Sequence, residues 1–501
     1  MPQVKLTLHA DAPGPVIDRH IFGHFSEHLG RCIYDGLWVG ENSPVPNTRG
    51  WRNDLVAALR QIRVPNLRWP GGCFADDYHW RDGIGPRARR PRRINSHWGG
   101  VLDDNAVGTH EFLDLCEQVG CEPYIAGNVG SGSPRELREW VEYCHATAGS
   151  LADERAANGR RAPWQVRLWG VGNENWGCGG NMTAEYYAGE YRRFVTYTRD
   201  FPDRPLYRVA CGANGGDFRW TEVVMRDAYR GPLGGTPLLQ GLSLHYYTVP
   251  GSWENKQPAS PFDHDGWKAV MAAGWKMDAL VRGHRAVMDR FDPAAATALV
   301  VDEWGSWYAV EPGTNPGFLY QQQTVRDAVL AALTLNVFIN HCERVRIANL
   351  AQTVNVLQAV ALTEEGGGRL VLTPTWHVFG LYAAHQGAKR LPVQSDAPVS
   401  AHEGLEYPAV SATASLGGDG AITITLCNTD PAEPATITLA LTGRKPALAT
   451  ASLLASADLT TCNTFDRPQA VITRPLDGVR VTGQNVHATL PPGAVASLRF
   501  A

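Results

Sequence analysis

The stretch Trp169-Gly170-Val171-Gly172-Asn173-Glu174-Asn175-Trp176 passes from an apolar run, Val166–Val171, through a glycine into a carboxylate flanked by amides. A charged group just beyond a short apolar strand is what the C-terminal end of a barrel strand offers to a ligand, so the fold turns on whether the pattern repeats. It does. Short strand-like segments at Ile21–Phe25, Asn66–Trp69, Pro123–Ala126, Val166–Val171, Tyr207–Cys211, Gly241–His245, Ala298–Val301 and Arg344–Ala348 each lead into a loop of Gly, Asn, Pro or charged residues and then a helical pattern. Eight such units predict an α/β fold, a (β/α)8 TIM barrel.

Several helices carry their own boundary signals. Ser133-Pro134-Arg135-Glu136 supplies an N-cap serine, proline at the first helical position and glutamate at the third. Apolar residues recur at helical spacing over Thr109–Val119 and Gln323–Phe338, which predicts two helices of the outer ring. Helical periodicity stops near residue 385. Alternating runs such as Ala421–Leu426 and Ala435–Leu439 replace it, punctuated by Gly, Asp and Pro, and predict an all-β, jelly-roll-like sandwich. The first strand signal, Val4, Leu6 and Leu8, has no place in the barrel and is expected to join that sandwich. The expected division is 18–385 for the barrel and 1–17 plus 386–501 for the sandwich.

With 501 residues, 44% hydrophobic and 19% charged, the chain can bury a large core and is not disordered. A formal charge of -4 provides no general attraction for nucleic acid or an anionic membrane, and neither is expected as a partner. The basic run Arg87–Arg93 reads as a solvated loop or subunit contact. The longest apolar run, Ala328–Ile339, is shorter than the roughly 20 residues of a membrane span. No secretory signal is evident, and ten Cys without a C-x-x-C pair fit free thiols in a reducing cytoplasm. No phosphate loop, G-x-S-x-G elbow or H-E-x-x-H motif occurs, so no cofactor is expected. His20, His24 and His28 are spaced by four, but on a strand that spacing spreads them over about 13 Å, and no metal is expected.

Two strand ends carry the carboxylates that could do chemistry: Glu174, and Glu303 in Leu299-Val300-Val301-Asp302-Glu303-Trp304-Gly305. Two carboxyl groups facing one cavity suit glycoside hydrolysis, in which one protonates the leaving oxygen and the other attacks the anomeric carbon or activates water. The plainer alternative is that they cap helices or pair with arginine. Glu27, Arg68, His245, Tyr247 and Gln352 lie at other strand ends and would suit sugar hydroxyls. Trp98, Trp176, Trp304 and Trp307 are candidates to face its C–H surfaces.

The ordered set of motifs resembles the family 51 glycoside hydrolases, α-L-arabinofuranosidases of the large retaining barrel clan. It comprises Gly23–Gly30 (GHFSEHLG), Leu67–Gly72 (LRWPGG), Tyr78–Pro86 (YHWRDGIGP), Gly172-Asn173-Glu174, Leu244–Tyr247 (LHYY), Val301–Trp304 (VDEW) and Ala348–Asn355 (ANLAQTVN), and it spans nearly the whole chain. The resemblance implies an exo-acting retaining enzyme on arabinofuranosyl oligosaccharides from arabinan or arabinoxylan, with a C-terminal β-sandwich and often a hexamer. It makes Glu174 the acid/base and Glu303 the nucleophile. Glu27, Asn173 and Gln352 would hold furanose hydroxyls, and Arg68 and Tyr247 would orient Glu303. One departure is Cys73, where many members have Asn after the Gly-Gly. A thiol is a poor hydrogen-bond partner, so a sugar hydroxyl loses a contact there or finds Asp76, Asp77 or a water instead. The alternatives are an endo-glucanase or xylanase of the same clan, or a non-catalytic carbohydrate-binding barrel.

Overall fold

The computed structural model describes residues 3–202, 204–231 and 234–501. Its centre is a closed barrel of eight strands in chain order: Gly23–Phe25, Asn66–Trp69, Glu122–Gly127, Leu168–Val171, Tyr207–Asn214, Gly241–Thr248, Ala298–Ser306 and Val345–Ala351. Every neighbouring pair is parallel, including the closing pair of the eighth strand with the first. Barrel strands five to seven run three to five residues beyond the expected ends, because the polar residues there continue the ladder. Tyr247, Asp302 and Glu303 among them, together with His245, satisfy one another across the barrel mouth in place of water. At the first strand the difference goes the other way. Asp18 accepts the N–H of His20 and caps a 3-10 turn over Arg19–Phe22, so the strand starts only at Gly23.

The helix Thr109–Val119 has the expected bounds and ends at Gly120 in the left-handed region. Ser133 caps Pro134–His145 by accepting the N–H of Glu136. The helix expected over Gln323–Phe338 runs over Val325–Asn340, with Thr324 and Asp327 forming its capping box. It belongs to the outer ring, yet it is buried on every side but its last residue. One face meets the barrel, with Phe338 edge-on to Trp304 at 5.4 Å, while Asn336 on another donates to Ser411 of the sandwich. That double covering explains the apolar run Ala328–Ile339. Among the described residues no helix is long and apolar enough to cross a membrane.

The C-terminal region forms two packed sheets. In the five-stranded one, the N-terminal strand Gln3–His9 lies between Val393–Ser395 and Ala435–Thr442, parallel to the latter. The six-stranded one is built around Val410–Leu416, Ile422–Asn428 and Val495–Phe500. Val4, Leu6 and Leu8 point inward against Ile422, Ile424, Ile437 and Leu439, which is the alternation their sequence predicts. Three of the five arginines of the Arg87–Arg93 run are paired. Arg87 pairs with Glu41 and Glu111, Arg90 with Glu111, and Arg93 with Asp77.

Candidate active site

At the C-terminal mouth of the barrel lies a cavity of about 430 Å3, lined by Glu27, Cys73, Trp98, Glu174, Trp176, His245, Tyr247, Glu303, Trp307 and Gln352, among others. Arg68 and Asn173 lie just beneath it, both buried. The strand ends picked out from the sequence therefore converge.

Glu303 is held inside the seventh strand. Arg68 donates to its Oε1 at 2.8 Å and Tyr247 to its Oε2 at 2.8 Å, so each oxygen has one fixed donor. Arg68 also donates to Asn173 Oδ1 at 2.6 Å, approaches Asp302 Oδ2 at 3.4 Å and stacks over Phe25. Burial works against the charge on Arg68, but Asp302 and Glu303 outweigh it and hold the guanidinium protonated.

Glu174 stands beyond the fourth strand on a left-handed backbone, φ 44°. Its Oε1 is 2.8 Å from His245 Nδ1, and His245 Nε2 is 3.1 Å from Asp302 Oδ1. Tyr124 donates to the other oxygen of Asp302 at 2.7 Å. Burial alone would lower the pKa of His245, but Glu303, Asp302 and Glu174 raise it to about 10, so the ring is an imidazolium donating from both nitrogens. Asp302 is correspondingly held below the usual carboxylate range: burial would raise it, and Arg68 and His245 prevail. Burial pushes Glu174 above its ordinary value, opposed in part by His245. His245 Nδ1 also lies 3.7 Å from Glu303 Oε2, and oxygens of the two glutamates and His245 Nδ1 all fall within 4.8 Å of one another. Both ring nitrogens are engaged by carboxylates, which makes this triad a proton and charge network.

Glu27 forms the floor. Its carboxylate accepts from Trp98 Nε1 at 2.9 Å, Phe74 N at 3.1 Å and Gln352 Nε2 at 2.9 Å, and burial, then the charge of Glu303, push its pKa up to about 8. The Gly71-Gly72 pair is needed here because a Cβ on Gly72 would come 2.9 Å from Glu27 Oε1.

Four readings change, those of Cys73, Asp76, Asp77 and Trp304. Cys73 is not a free thiol: it is disulfide-bonded to Cys178, 105 residues away, with Cα atoms 5.5 Å apart, while the other eight cysteines are free. Only barrel closure brings the loops after the second and fourth strands together, so no local spacing announces the pair. Asp76 does not replace Cys73 as a sugar contact. Its buried carboxylate is filled by the N–H groups of Val129, Gly130 and Asn173 and by Asn175 Nδ2, which ties three barrel loops together. Asp77 turns away to Arg93. Trp304 faces outward into the helices against Phe338 and Phe379, just past a ladder irregularity between Val301 and Trp304 that lets both Asp302 and Glu303 face the barrel interior. The three histidines disperse: His20 to Asn66 and Glu122, His28 to Asp103, and His24 into the core against Phe379. The reading also missed Trp253, half exposed and edge-on to Trp307 at 5.1 Å, which extends the aromatic wall at the mouth. It lies in a loop without periodicity, and nothing local marks it.

Comparison with known proteins agrees with the geometry. Residues 58–216 match the alpha-L-arabinofuranosidase 1 domain and residues 302–493 the alpha-L-arabinofuranosidase C-terminal domain. The chain is 45% identical over 498 residues to an intracellular exo-alpha-L-arabinofuranosidase of Bacteroides ovatus, covering 99% of this chain and 95% of that one. It is 30% identical to an intracellular exo-alpha-(1->5)-L-arabinofuranosidase of Bifidobacterium longum, across 100% of this chain and 92% of that one. The crystal structure of the GH51 arabinofuranosidase from Xanthomonas axonopodis pv. citri superposes over 100% of both chains with a TM-score of 0.97 at 48% identity. With the paired glutamates at strands four and seven and similarity over its full length, the chain belongs to the family 51 glycoside hydrolases, the α-L-arabinofuranosidases.

Proposed function

We propose that the protein is an exo-acting α-L-arabinofuranosidase that releases terminal arabinofuranose from arabinan- or arabinoxylan-derived oligosaccharides by double displacement. Glu303 attacks the anomeric carbon while Glu174 protonates the leaving oxygen; Glu174 then takes a proton from the water that hydrolyses the glycosyl-enzyme. The observation that carries the retaining reading is the spacing of the two carboxyl groups. Their near oxygens lie within 4.8 Å, which supports the roughly 5–5.5 Å separation of retaining enzymes over the wider spacing of inverting ones.

Arg68 and Tyr247 aim Glu303, each donating to one of its oxygens, and Arg68 and His245 are both tied in turn to Asp302. Glu27, Asn173 and Gln352 hold the furanose hydroxyls. Asn173 Nδ2 supports this, being a buried donor with no partner among the described residues. Trp98, Trp176 and the disulfide at Cys73 shape the pocket around the ring. The intracellular naming of the Bacteroides and Bifidobacterium relatives supports a cytoplasmic location. Assembly as a hexamer rests on family resemblance, and light scattering tests it.

A panel of 4-nitrophenyl α-L-arabinofuranoside, β-D-xyloside, β-D-glucoside and β-D-galactofuranoside, with the anomer of the first-formed sugar followed by proton NMR, tests the proposal. Preference for the arabinofuranoside with initial release of the α-anomer is expected. Release of the β-anomer would contradict double displacement.

A further inference from the structure

The Cys73–Cys178 bond lies in the pocket wall itself. Cys73 lines the cavity beside Gly72, and Cys178 follows Glu174 by four residues, with its Sγ 3.6 Å from Glu174 Oε2. Cys178 is exposed, so a reductant reaches the bond from solvent. Opening it would not separate the two loops. Asp76, three residues after Cys73, accepts from the backbone of Asn173 and the side chain of Asn175, and Asn175 in turn donates to Gly179 O. These bonds keep the two sulfurs neighbours in the dithiol form.

Sulfurs of Cys73 and Cys178 and a carboxylate oxygen of Glu174 all lie within 4.8 Å of one another. A tetrahedral Zn2+ with bonds of about 2.3 Å to sulfur and about 2.0 Å to oxygen sets S···O at about 3.5 Å and S···S at about 3.8 Å. For Cys178 the sulfur-to-oxygen spacing is already present, at 3.6 Å, the Cys73 sulfur lies within 4.8 Å of the carboxylate, and the sulfurs must part by side-chain rotation. We propose that the reduced enzyme carries a site for a thiophilic divalent cation, Zn2+ or its analogues, formed by Cys73, Cys178 and Glu174, and that the disulfide form excludes it. In the first step a dithiol or phosphine reductant supplies two electrons, the S–S bond breaks, two thiols form and the reductant is oxidised. In the second, Zn2+ displaces both thiol protons and the proton of Glu174 to solvent and takes the Glu174 carboxylate as third ligand, leaving the fourth position to water.

A Glu174 carboxylate bound to metal has no proton for a leaving group. Reductant alone therefore leaves the enzyme working, reductant with Zn2+ stops it, and oxidation protects it. The loss of activity rests on Glu174 acting as acid/base, whereas the metal binding does not.

The test uses the full chain in two forms, as purified with its disulfide and after phosphine reduction and anaerobic desalting. Thiol titration in denaturant should count eight in the first and ten in the second. Co2+ should give the intense visible bands of a tetrahedral site and a sulfur-to-metal charge-transfer band at one equivalent in the reduced form only, and Zn2+ should bleach them. Saturating Zn2+ should lower turnover of 4-nitrophenyl arabinofuranoside by about 100-fold or more in the reduced form, reversibly with chelator, and leave the oxidised form unchanged. Reduced Cys178→Ser should lose the charge-transfer band of a two-thiolate site and need at least about tenfold more Zn2+ for half-inhibition. Absence of a sulfur-to-cobalt band, equal inhibition of both forms, or unaltered inhibition of Cys178→Ser would overturn the proposal. So would a reduced enzyme that unfolds before metal is added, since the site needs the barrel to hold the sulfurs together. If the thiolate site forms and the Zn2+-loaded enzyme still turns over, the metal site stands and the acid/base assignment of Glu174 fails.

Discussion

The two walls of the pocket hold the same side chain by opposite means. On the seventh strand Glu303 sits inside a fully buried nine-residue element, its side chain 7% exposed, with an arginine and a tyrosine each fixed on one oxygen. At the fourth strand Glu174 is past the last ladder residue, on a left-handed backbone, 18% exposed, with a single cationic partner that it shares with Asp302. A nucleophile benefits from the first arrangement, which fixes direction. An acid/base benefits from the second, in which burial raises proton affinity and one oxygen stays free toward the leaving group. Strand interior against strand exit, more than residue type, separates the two roles.

The largest effect should come from the seventh-strand wall. Glu303→Ala is expected to lower kcat by about four powers of ten or more on good and poor leaving groups alike, and any product formed with azide should have inverted configuration. Glu174→Ala should cost about 10²–10⁴ on substrates with poor leaving groups, and far less with 2,4-dinitrophenolate, where azide should restore turnover to a product of retained configuration. If the mutants exchanged these behaviours, the comparison of walls would be read backwards.

Removing the cation beneath the seventh strand tests how much of that wall is electrostatic. Arg68→Met leaves Glu303 and Asp302 buried without their guanidinium and should destabilise the fold by about 3–5 kcal/mol in a denaturant titration. A loss below about 1 kcal/mol would mean that solvent already screens the pair.

The fourth-strand wall is sharpened by pH. Glu174 must be protonated for the first step, and burial raises its pKa, so activity should fall on the alkaline side above the ordinary carboxylate range. His245 opposes that shift. In His245→Gln, with imidazolium charge and hydrogen bond reduced, Glu174 should bind its proton more tightly and the alkaline limb of kcat should move to higher pH. A limb that moved down would show that His245 is not a cation in the working enzyme. The smallest effect belongs to the floor. Trp98→Phe deletes one donor to Glu27 and should raise KM by about tenfold with a lesser change in kcat.

Much of the site was legible because it obeys a strand rule. Glu174 and Glu303 follow apolar runs, and Arg68, His245, Tyr247 and Gln352 lie on or just past strand ends, so a barrel reading places them at one mouth. Trp304 was not legible by that rule, because a ladder irregularity between Val301 and Trp304 puts neighbouring Asp302 and Glu303 both inside and breaks the alternation. Helices such as Thr109–Val119 were legible from caps and periodicity, which are local, and the strand Gln3–His9 from its alternation. Thus the chain alone determined its eightfold unit, its sandwich and the two carboxylates, because each is written within a dozen neighbouring residues. The Cys73–Cys178 bond, the bridging of three loops by Asp76, the relay from Glu174 through His245 to Asp302, and the burial of Val325–Asn340 were decided only by tertiary structure. Each depends on which loops or surfaces barrel closure brings within a few ångströms, and no local periodicity encodes that distance.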